Sequence, residues 1–232
     1  MTFIQIKFMP EENWKRSWKG RIAEQIVSSY KKGDCIMSKH IFNTVITKEL
    51  LWHATTMIKG NKVNRTGNKV NSEGGKAKEG DYVEAMVNIK IVGQRYWSKE
   101  AKEQYNKNNP EDSTGYKNSD GLIHEHAVPR IMIKTKIEET LEENQKANEE
   151  EKINKVYKII DKYSKSVIIT KEEDKKIYWG KTFTKDGKKW AKIDSDFEDK
   201  FKEEGQKFIE FMKNYRYKDE GNKTVVNEII DL

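Results

Sequence analysis

The residues best suited to chemistry lie in one short stretch, from Asp120 to Arg130. It holds two of the four histidines of the 232-residue chain, His124 and His126, with Glu125 between them. An imidazole transfers protons near neutral pH, a carboxylate binds hard metal ions, and a guanidinium holds phosphate. This set of side chains indicates a site that acts on a phosphate-containing substrate.

Cleavage of a phosphodiester needs help at two points, because water is a weak nucleophile and the leaving alkoxide is strongly basic. A metal ion stabilises the charge on the leaving group, and an imidazole takes the proton of the attacking water. We therefore predict Glu125 as a ligand for Mg²⁺ or Mn²⁺ and His126 as the general base. Arg130 is the predicted phosphate contact, and His124 is a further catalytic candidate.

The backbone geometry of this stretch leaves other interpretations open. Successive strand residues point to opposite faces, so His124 and His126 would share one face while Glu125 points away. A turn or bulge just before Pro129 would bring Glu125 and His126 into one site. Without it, the two histidines form an imidazole pair better suited to Zn²⁺ or Ni²⁺. The remaining interpretation is a surface strand edge whose histidines pair with acids.

The segment from Ile123 to Arg130 resembles the first strand of the ββα-metal nucleases, also called HNH or His-Me finger nucleases. It is particularly similar to the His-acidic-His form of the endonuclease VII-like members, over about eight residues. The resemblance implies that Glu125 is a metal ligand and His126 the base. It also implies a second strand that leads into a helix carrying a further ligand.

The best match for that second strand is the apolar run from Val167 to Ile169. It leads into a helix at Thr170, where Thr170 and Glu173 have the spacing of a capping box. In this assignment Glu173 is the second metal ligand. The helical segments within residues 131–163 are then an insertion between the two strands of a ββα-metal-like core.

The rest of the chain predicts an α+β fold with a helical majority and short antiparallel strands. Ser98 is a predicted helix N-cap, and an Asp186-Gly187 turn predicts a hairpin in which Trp179 and Trp190 meet. Helical spacing of apolar residues predicts a helix over 10–27, with acids in its first turn, and a helix over 38–57 (or a strand at 44–47). It also predicts helices in two segments of 131–163 and a helix capped by Ser195 that carries Phe197, Phe201, Phe208 and Met212. A last short strand is predicted at 224–226.

Residues 59–80 contain two nearly identical seven-residue segments that begin at Gly60 and Gly67. Their glycines and asparagines favour turns, which predicts a flexible loop. Six basic and two acidic residues give this loop a net positive charge. The loop either contacts phosphates or is simply solvated. The predicted nucleic-acid contacts are Lys59, Lys62, Arg65 and Lys69.

The charge of the chain indicates a polyanionic partner. The net charge is +7, and residues 1–120 hold 21 basic against 14 acidic residues, while residues 121–232 hold 24 of each. Nucleic acid is the expected partner, with DNA favoured over RNA. The single cysteine, Cys35, excludes an internal disulfide, and no apolar run reaches the roughly 20 residues of a membrane span, so we expect a soluble cytoplasmic protein.

The function expected from these observations is metal-dependent cleavage of nucleic acid by an HNH-like endonuclease, in defence or mobile-element biology. The alternative is a non-catalytic protein that binds nucleic acid or a nucleoprotein, such as a phage-borne inhibitor or regulator. We divide the chain into a basic region, 1–120, and a region with the histidine stretch, 121–232. These regions form either two domains or one continuous domain.

Overall fold

The computed structural model describes residues 17–31, 62–63, 69–70, 91–111, 118–177, 184–185, 188–189 and 192–232. Within these residues the fold is α+β with a helical majority, as predicted. None of the described helices has the length and apolar content needed to cross a membrane.

The described elements alternate short strands with helices of one to four turns. The strands are β1 (Lys62–Val63), β2 (Lys69–Val70), β3 (Tyr96–Ser98), β4 (Leu122–His126), β5 (Ser166–Thr170), β6 (Thr184–Lys185), β7 (Lys188–Lys189) and β8 (Ile229–Asp231). The helices are α1 (Trp18–Lys31), α2 (Lys99–Asn108), α3 (Arg130–Glu143), α4 (Glu149–Tyr163), α5 (Lys171–Lys176), α6 (Ser195–Lys200) and α7 (Gly205–Phe211), followed by a π-helical turn, Met212–Arg216.

A four-stranded sheet in the order β4-β5-β3-β8 carries the histidine stretch on its edge strand β4. The sheet is mixed, because β3 and β5 run parallel with Tyr96 opposite Val167, while β4–β5 and β3–β8 are antiparallel. The predicted antiparallel strands are present at β4–β5 and β3–β8, and the parallel pairing of β3 with β5 was not predicted. A long connection containing α2, β4, α3 and α4 separates β3 from β5, and such a crossover allows parallel pairing.

The strands proposed for a ββα-metal core lie side by side. β4 and β5 pair along their whole length, α5 follows β5 directly, and α3 and α4 form the connection between the two strands. This order agrees with the predicted insertion. The likeness to a ββα-metal core stays a prediction.

The two faces of the sheet are covered by different helices. The main core lies on the face that carries Tyr96, Val167 and Ile169, and buried side chains of α1, α3, α4, α6 and α7 pack there. On the other face α2 covers a smaller cluster that contains Trp97 and Ile168. One sheet thus combines β3, from the region before residue 120, with strands from the region after it.

The two helices predicted after Pro129 are confirmed. In α3 the residues Ile133, Ile137 and Leu141 are buried, and they form the stripe expected from their spacing of four. The Asn148 side chain caps α4 by accepting the N–H of Glu151 at 2.9 Å. Three glutamates in the first turn of α4 also stabilise the start of this helix, because their negative charges lie at the positive end of the helix dipole.

Helix α1 begins later than predicted. The Ser17 hydroxyl accepts the N–H of Gly20 at 3.1 Å, so Ser17 occupies the N-cap and the helix starts at Trp18. The first turn holds no acidic residue, and the predicted acids at this helix start are wrong. The predicted inward face is confirmed, because Ile22 and Ile26 are buried.

The C-terminal elements differ from the predicted ones in three ways. Asp194, not Ser195, caps α6 by accepting the N–H of Phe197 at 2.9 Å. The single predicted helix is two, because the chain leaves α6 at Lys200 and restarts α7 at Gly205, whose φ of 62° suits glycine. The last strand is β8 and not 224–226, where Thr224 makes only an isolated bridge to Lys218.

Two short ribbons correspond to predicted turns. β6 pairs with β7 across residues 186–187, which confirms a hairpin at the Asp186-Gly187 turn. Within the predicted loop of residues 59–80, β1 pairs antiparallel with β2, with Lys62 opposite Val70. The loop prediction is therefore wrong at these four residues, because the Lys-Val pairs of the two repeats form backbone hydrogen bonds with each other.

Several predictions lie outside the described residues. They concern the helix over 38–57 with His40 and His53, the side chains of Trp14, Trp179 and Trp190, Cys35, and the phosphate contacts Lys59 and Arg65.

Candidate functional site

The histidines of β4 lie on one face of the sheet, as the alternation of a regular strand requires. His124 is opposite Ile168 and His126 is opposite Ser166 of β5. The two imidazole rings are 4.9 Å apart between centroids and meet edge to face at 80°. Both side chains are partly exposed, so the pair is accessible from outside the described fold.

Arg130 turns back onto this pair. After β4, Ala127 and Val128 are buried, and the Ala127 N–H bonds to the Lys165 carbonyl at 2.9 Å, which fixes the turn into α3. Arg130, the first residue of α3, donates its Nε–H to His126 Nε2 at 3.0 Å. A ring nitrogen that accepts a hydrogen bond carries no proton, so this contact selects the neutral His126 tautomer with its proton on Nδ1.

A polar pair lies beside His126, and the nearest helix end carries no acidic residue in its first turn. Ser166, directly across from His126, donates its hydroxyl to Gln94 Oε1. The N-terminus of α3 has neither a side-chain cap nor an acid in its first turn, in contrast to the glutamates that open α4. Partial burial lowers the pKa of Arg130 by desolvation. The helix end and Arg130 together favour an anion at this place.

Glu125 faces the opposite side of the sheet and is not part of the histidine cluster. Its carboxylate is buried and accepts a charge-assisted hydrogen bond from Nη2 of Arg216, which is also buried. Burial raises the pKa of Glu125 to about 7, against the attraction of Arg216. The residue predicted as a metal ligand thus has a cation as its direct partner.

The buried Tyr217 hydroxyl lies in the same polar region below the sheet. Its pKa is raised well above the usual value by burial first, and then by the negative charges of Glu125, Glu173 and Asp174. The opposing influence of Arg216 lowers it. Both predicted metal ligands, Glu125 and Glu173, raise the pKa of Tyr217, but Glu125 has a guanidinium as its direct partner and lies across the sheet from His126.

Glu173 holds two helix starts together. Its Oε2 accepts the Ser98 hydroxyl at 2.7 Å and the Thr170 N–H at 2.8 Å, while the Thr170 hydroxyl accepts the Glu173 N–H at 3.0 Å. The predicted capping box is thus confirmed. Ser98 in turn caps α2 by accepting the Ala101 N–H at 3.1 Å, also as predicted. Burial raises the pKa of Glu173.

The cluster brings together His124, His126 and Arg130 and separates them from Glu125 and Glu173. β4 pairs with β5 in unbroken register from Leu122 to His126, so no bulge within the strand brings Glu125 to the face of His126. Among the described residues, no group of three or more histidine, cysteine, aspartate or glutamate side chains is placed to hold a metal ion. Glu125, the predicted ligand for Mg²⁺ or Mn²⁺, lies on the opposite face of the sheet from His126.

Two residues of this region were missed in the sequence. Arg216 lies 91 positions from Glu125, and nothing in its local sequence connects them. Gln94 lies in an irregular segment before β3 and meets Ser166 only through the parallel pairing of β3 with β5. Both contacts depend on long-range packing that no local spacing encodes.

Comparisons with known proteins find no family model, no curated protein and no solved structure that matches this chain. The function must be argued from the residues and their geometry.

Proposed function

We propose that this protein binds nucleic acid and that Arg130, His126 and His124 contact its phosphates. The observation that supports the proposal is the 3.0 Å contact between Arg130 Nε and His126 Nε2 beside the second imidazole. A guanidinium and two imidazoles on one accessible face are donors suited to phosphate oxygens. A phosphate oxygen accepts a charge-assisted hydrogen bond, which is roughly twice as strong as a neutral one.

The same contact disfavours a metal ion on His126. Two unit charges about 4 Å apart repel by about 4 kcal/mol at the effective dielectric constant near a protein surface. A divalent ion on Nε2 would displace Arg130 and lie close to its positive charge. An anion instead lowers the energy of the arrangement, so the histidines are better suited to phosphate than to Zn²⁺ or Ni²⁺.

Charge elsewhere in the chain supports a polyanion rather than a small phosphate compound. The net charge is +7 and its excess lies within residues 1–120. The β1–β2 ribbon contains Lys62 and Lys69, two of the predicted phosphate contacts. A long polyanion has many phosphates and can use basic residues from several parts of the chain, whereas a mononucleotide cannot.

A second candidate function is metal-dependent cleavage by a ββα-type site. The order β4-β5-α5, with β4 and β5 antiparallel, is the observation that favours it. It requires Glu125 to leave Arg216 and turn through the sheet toward His126. Cleavage that needs Mg²⁺ or Mn²⁺ and is lost in both Glu125→Ala and Glu173→Gln would support this candidate over ours.

Fluorescence anisotropy tests the binding proposal, with labelled single-stranded and double-stranded DNA and RNA of one sequence. Arg130→Gln should weaken binding and reduce the slope of log K against log salt by about 0.7 for single strands or 0.9 for duplexes. Lys207→Gln is the control, because it removes one charge from an exposed position on α7. Identical slopes for the two variants would refute the phosphate contact.

A further inference from the structure

We infer that the nucleic acid bound at this face is RNA and that His124 and His126 cleave it through its own 2′-hydroxyl group. This inference rests on the proposed function, because the phosphate must first be held by Arg130. It names a substrate class and a reaction that differ from the expectation from the sequence, which is metal-dependent cleavage of nucleic acid with DNA favoured over RNA.

The arrangement of the two imidazoles carries the inference. Attack by the 2′-oxygen on the adjacent phosphorus needs one group that accepts the 2′-hydroxyl proton and a second that protonates the departing 5′-oxygen. His124 and His126 share one face, and their rings are 4.9 Å apart and inclined at 80°. The two rings therefore lie in different planes, which suits contact with two different oxygens of one phosphodiester.

Arg130 links binding to proton transfer. In the structure it donates to His126 Nε2, the nitrogen that a general base would use. When the guanidinium turns to a non-bridging phosphate oxygen, Nε2 becomes available to the 2′-hydroxyl. The charged oxygens of a phosphate are stronger acceptors than a neutral imidazole nitrogen, so substrate binding favours this exchange.

The reaction balances without any further reactant. His126 takes the proton of the 2′-hydroxyl, the O2′–P bond forms, and the P–O5′ bond breaks. Protonated His124 gives its proton to the 5′-oxygen. The products are a 2′,3′-cyclic phosphate and a 5′-hydroxyl end, and proton exchange with water restores both imidazoles.

The position of the acids explains why RNA is the substrate. Cleavage of DNA needs a nucleophile from outside the strand, such as water, and metal ions help by stabilising the leaving oxygen. Among the described residues, the carboxylates predicted to hold such an ion are on the other face of the sheet, with Arg216 beside Glu125. The 2′-hydroxyl is instead held next to the phosphorus by the substrate itself, which supplies the required proximity.

The test uses three labelled single strands of one sequence: RNA, DNA, and RNA with 2′-O-methyl groups, all in excess chelator. We expect all three to bind and only the unmodified RNA to be cut, with a 2′,3′-cyclic phosphate identified by mass spectrometry. Binding without cleavage of any strand overturns the inference and leaves the proposed function intact. Absence of binding to all three overturns the proposed function as well.

Three further outcomes would also overturn the inference. Products with 5′-phosphate ends, or cleavage of DNA only after Mn²⁺ is added, would indicate attack by water. His126→Gln and His124→Gln, purified in parallel, should each lose on the order of 10² to 10⁴ in rate. Retained cutting in both variants would indicate a contaminating ribonuclease, and Lys207→Gln should cut at the wild-type rate.

The pH dependence separates a catalytic role from a structural one. One imidazole must be neutral and the other protonated, so the wild-type rate should follow a bell-shaped profile. Each single histidine variant should keep only one limb of that profile. A bell-shaped profile that survives both substitutions with unchanged limbs would overturn the assignment, and thermal unfolding confirms that each variant is folded.

Discussion

Arg130 determines how the histidine cluster can act, because a guanidinium has no acceptor and only donates hydrogen bonds. Its Nε–H engages His126 at 3.0 Å, which keeps that imidazole neutral and positions a fixed positive charge beside it. Lysine would provide the charge without the planar set of donors. At the scale of single residues, this contact is what makes the face suited to phosphate.

Glu125 and Arg216 provide a prediction about stability. The pKa of Glu125 is raised from 4.5 to about 7, so the folded state binds its proton more tightly than the unfolded chain does. The stabilisation is complete below pH 4.5 and is lost as the pH rises through 7, on the order of 3 kcal/mol in total. Glu125→Gln, which cannot titrate, should lack this contribution.

Denaturant unfolding of wild type and Glu125→Gln between pH 4.5 and 8 measures the difference directly. Subtracting the free energy of unfolding of the variant from that of wild type removes the contribution of all other titrating groups, because the two proteins share them. The difference in the free energy of unfolding should fall steadily as the pH rises. A difference that stays constant, or that grows with pH, would show that Arg216 and not burial controls this carboxyl.

At the scale of elements, Ser98 and Glu173 join the starts of α2 and α5 at the adjacent ends of two parallel strands. Ser98→Ala should remove the N-cap of α2, which costs about 0.5 to 2 kcal/mol. It should also take one of two hydrogen-bond donors from the buried carboxylate of Glu173, which adds about 1 to 3 kcal/mol. Chemical denaturation measures the sum.

Asn148→Ala is the matched comparison for that variant. It removes the N-cap of α4 in the same way, but Asn148 is exposed and caps the N–H of Glu151 without touching a buried carboxylate. Asn148→Ala should therefore lower the free energy of unfolding only by the amount expected for the loss of an N-cap. If Ser98→Ala costs no more than Asn148→Ala, the bond between Ser98 and Glu173 contributes nothing to stability.

The ribbon formed by β1 and β2 gives a prediction about binding. Replacing Lys62 and Lys69 by Gln, together with Lys59 and Arg65, should flatten the salt dependence of nucleic-acid affinity by about 0.7 to 0.9 for each lost phosphate contact. Anisotropy titrations at several salt concentrations measure the slope. An unchanged slope would mean that residues 59–80 are only solvated and that affinity comes from elsewhere.

Local signals in the sequence predicted the elements around the site well. The capping box of Thr170 and Glu173, the Ser98 cap and the common face of His124 and His126 all follow from spacings of two or three residues. Residue spacing alone was not enough to predict which groups the two glutamates contact. A strand alternation places Glu125 away from His126, but only the folded chain shows that Arg216 is its partner.

At the scale of the whole molecule, the sheet separates two groups of polar side chains. Beneath it, toward the main core, Glu125, Arg216 and Tyr217 are buried, and the charges of Glu125 and Arg216 act on the Tyr217 hydroxyl. On the other face, His124, His126 and Arg130 are only partly buried. The pair of Glu125 and Arg216 on the main-core face thus affects the stability of the fold. Substitutions of the histidines on the other face can alter its chemistry without disturbing that core.

Imidazole NMR of the histidine-labelled protein tests the phosphate-binding face most directly, because the chain has only four histidines. His124→Gln and His126→Gln assign the two relevant signals, and a 2′-O-methyl RNA strand serves as a ligand that cannot be cut. We predict that both signals shift in a saturable way, with the dissociation constant found by anisotropy, and that Arg130→Gln weakens the response. Binding by anisotropy while both signals stay unchanged would contradict the account.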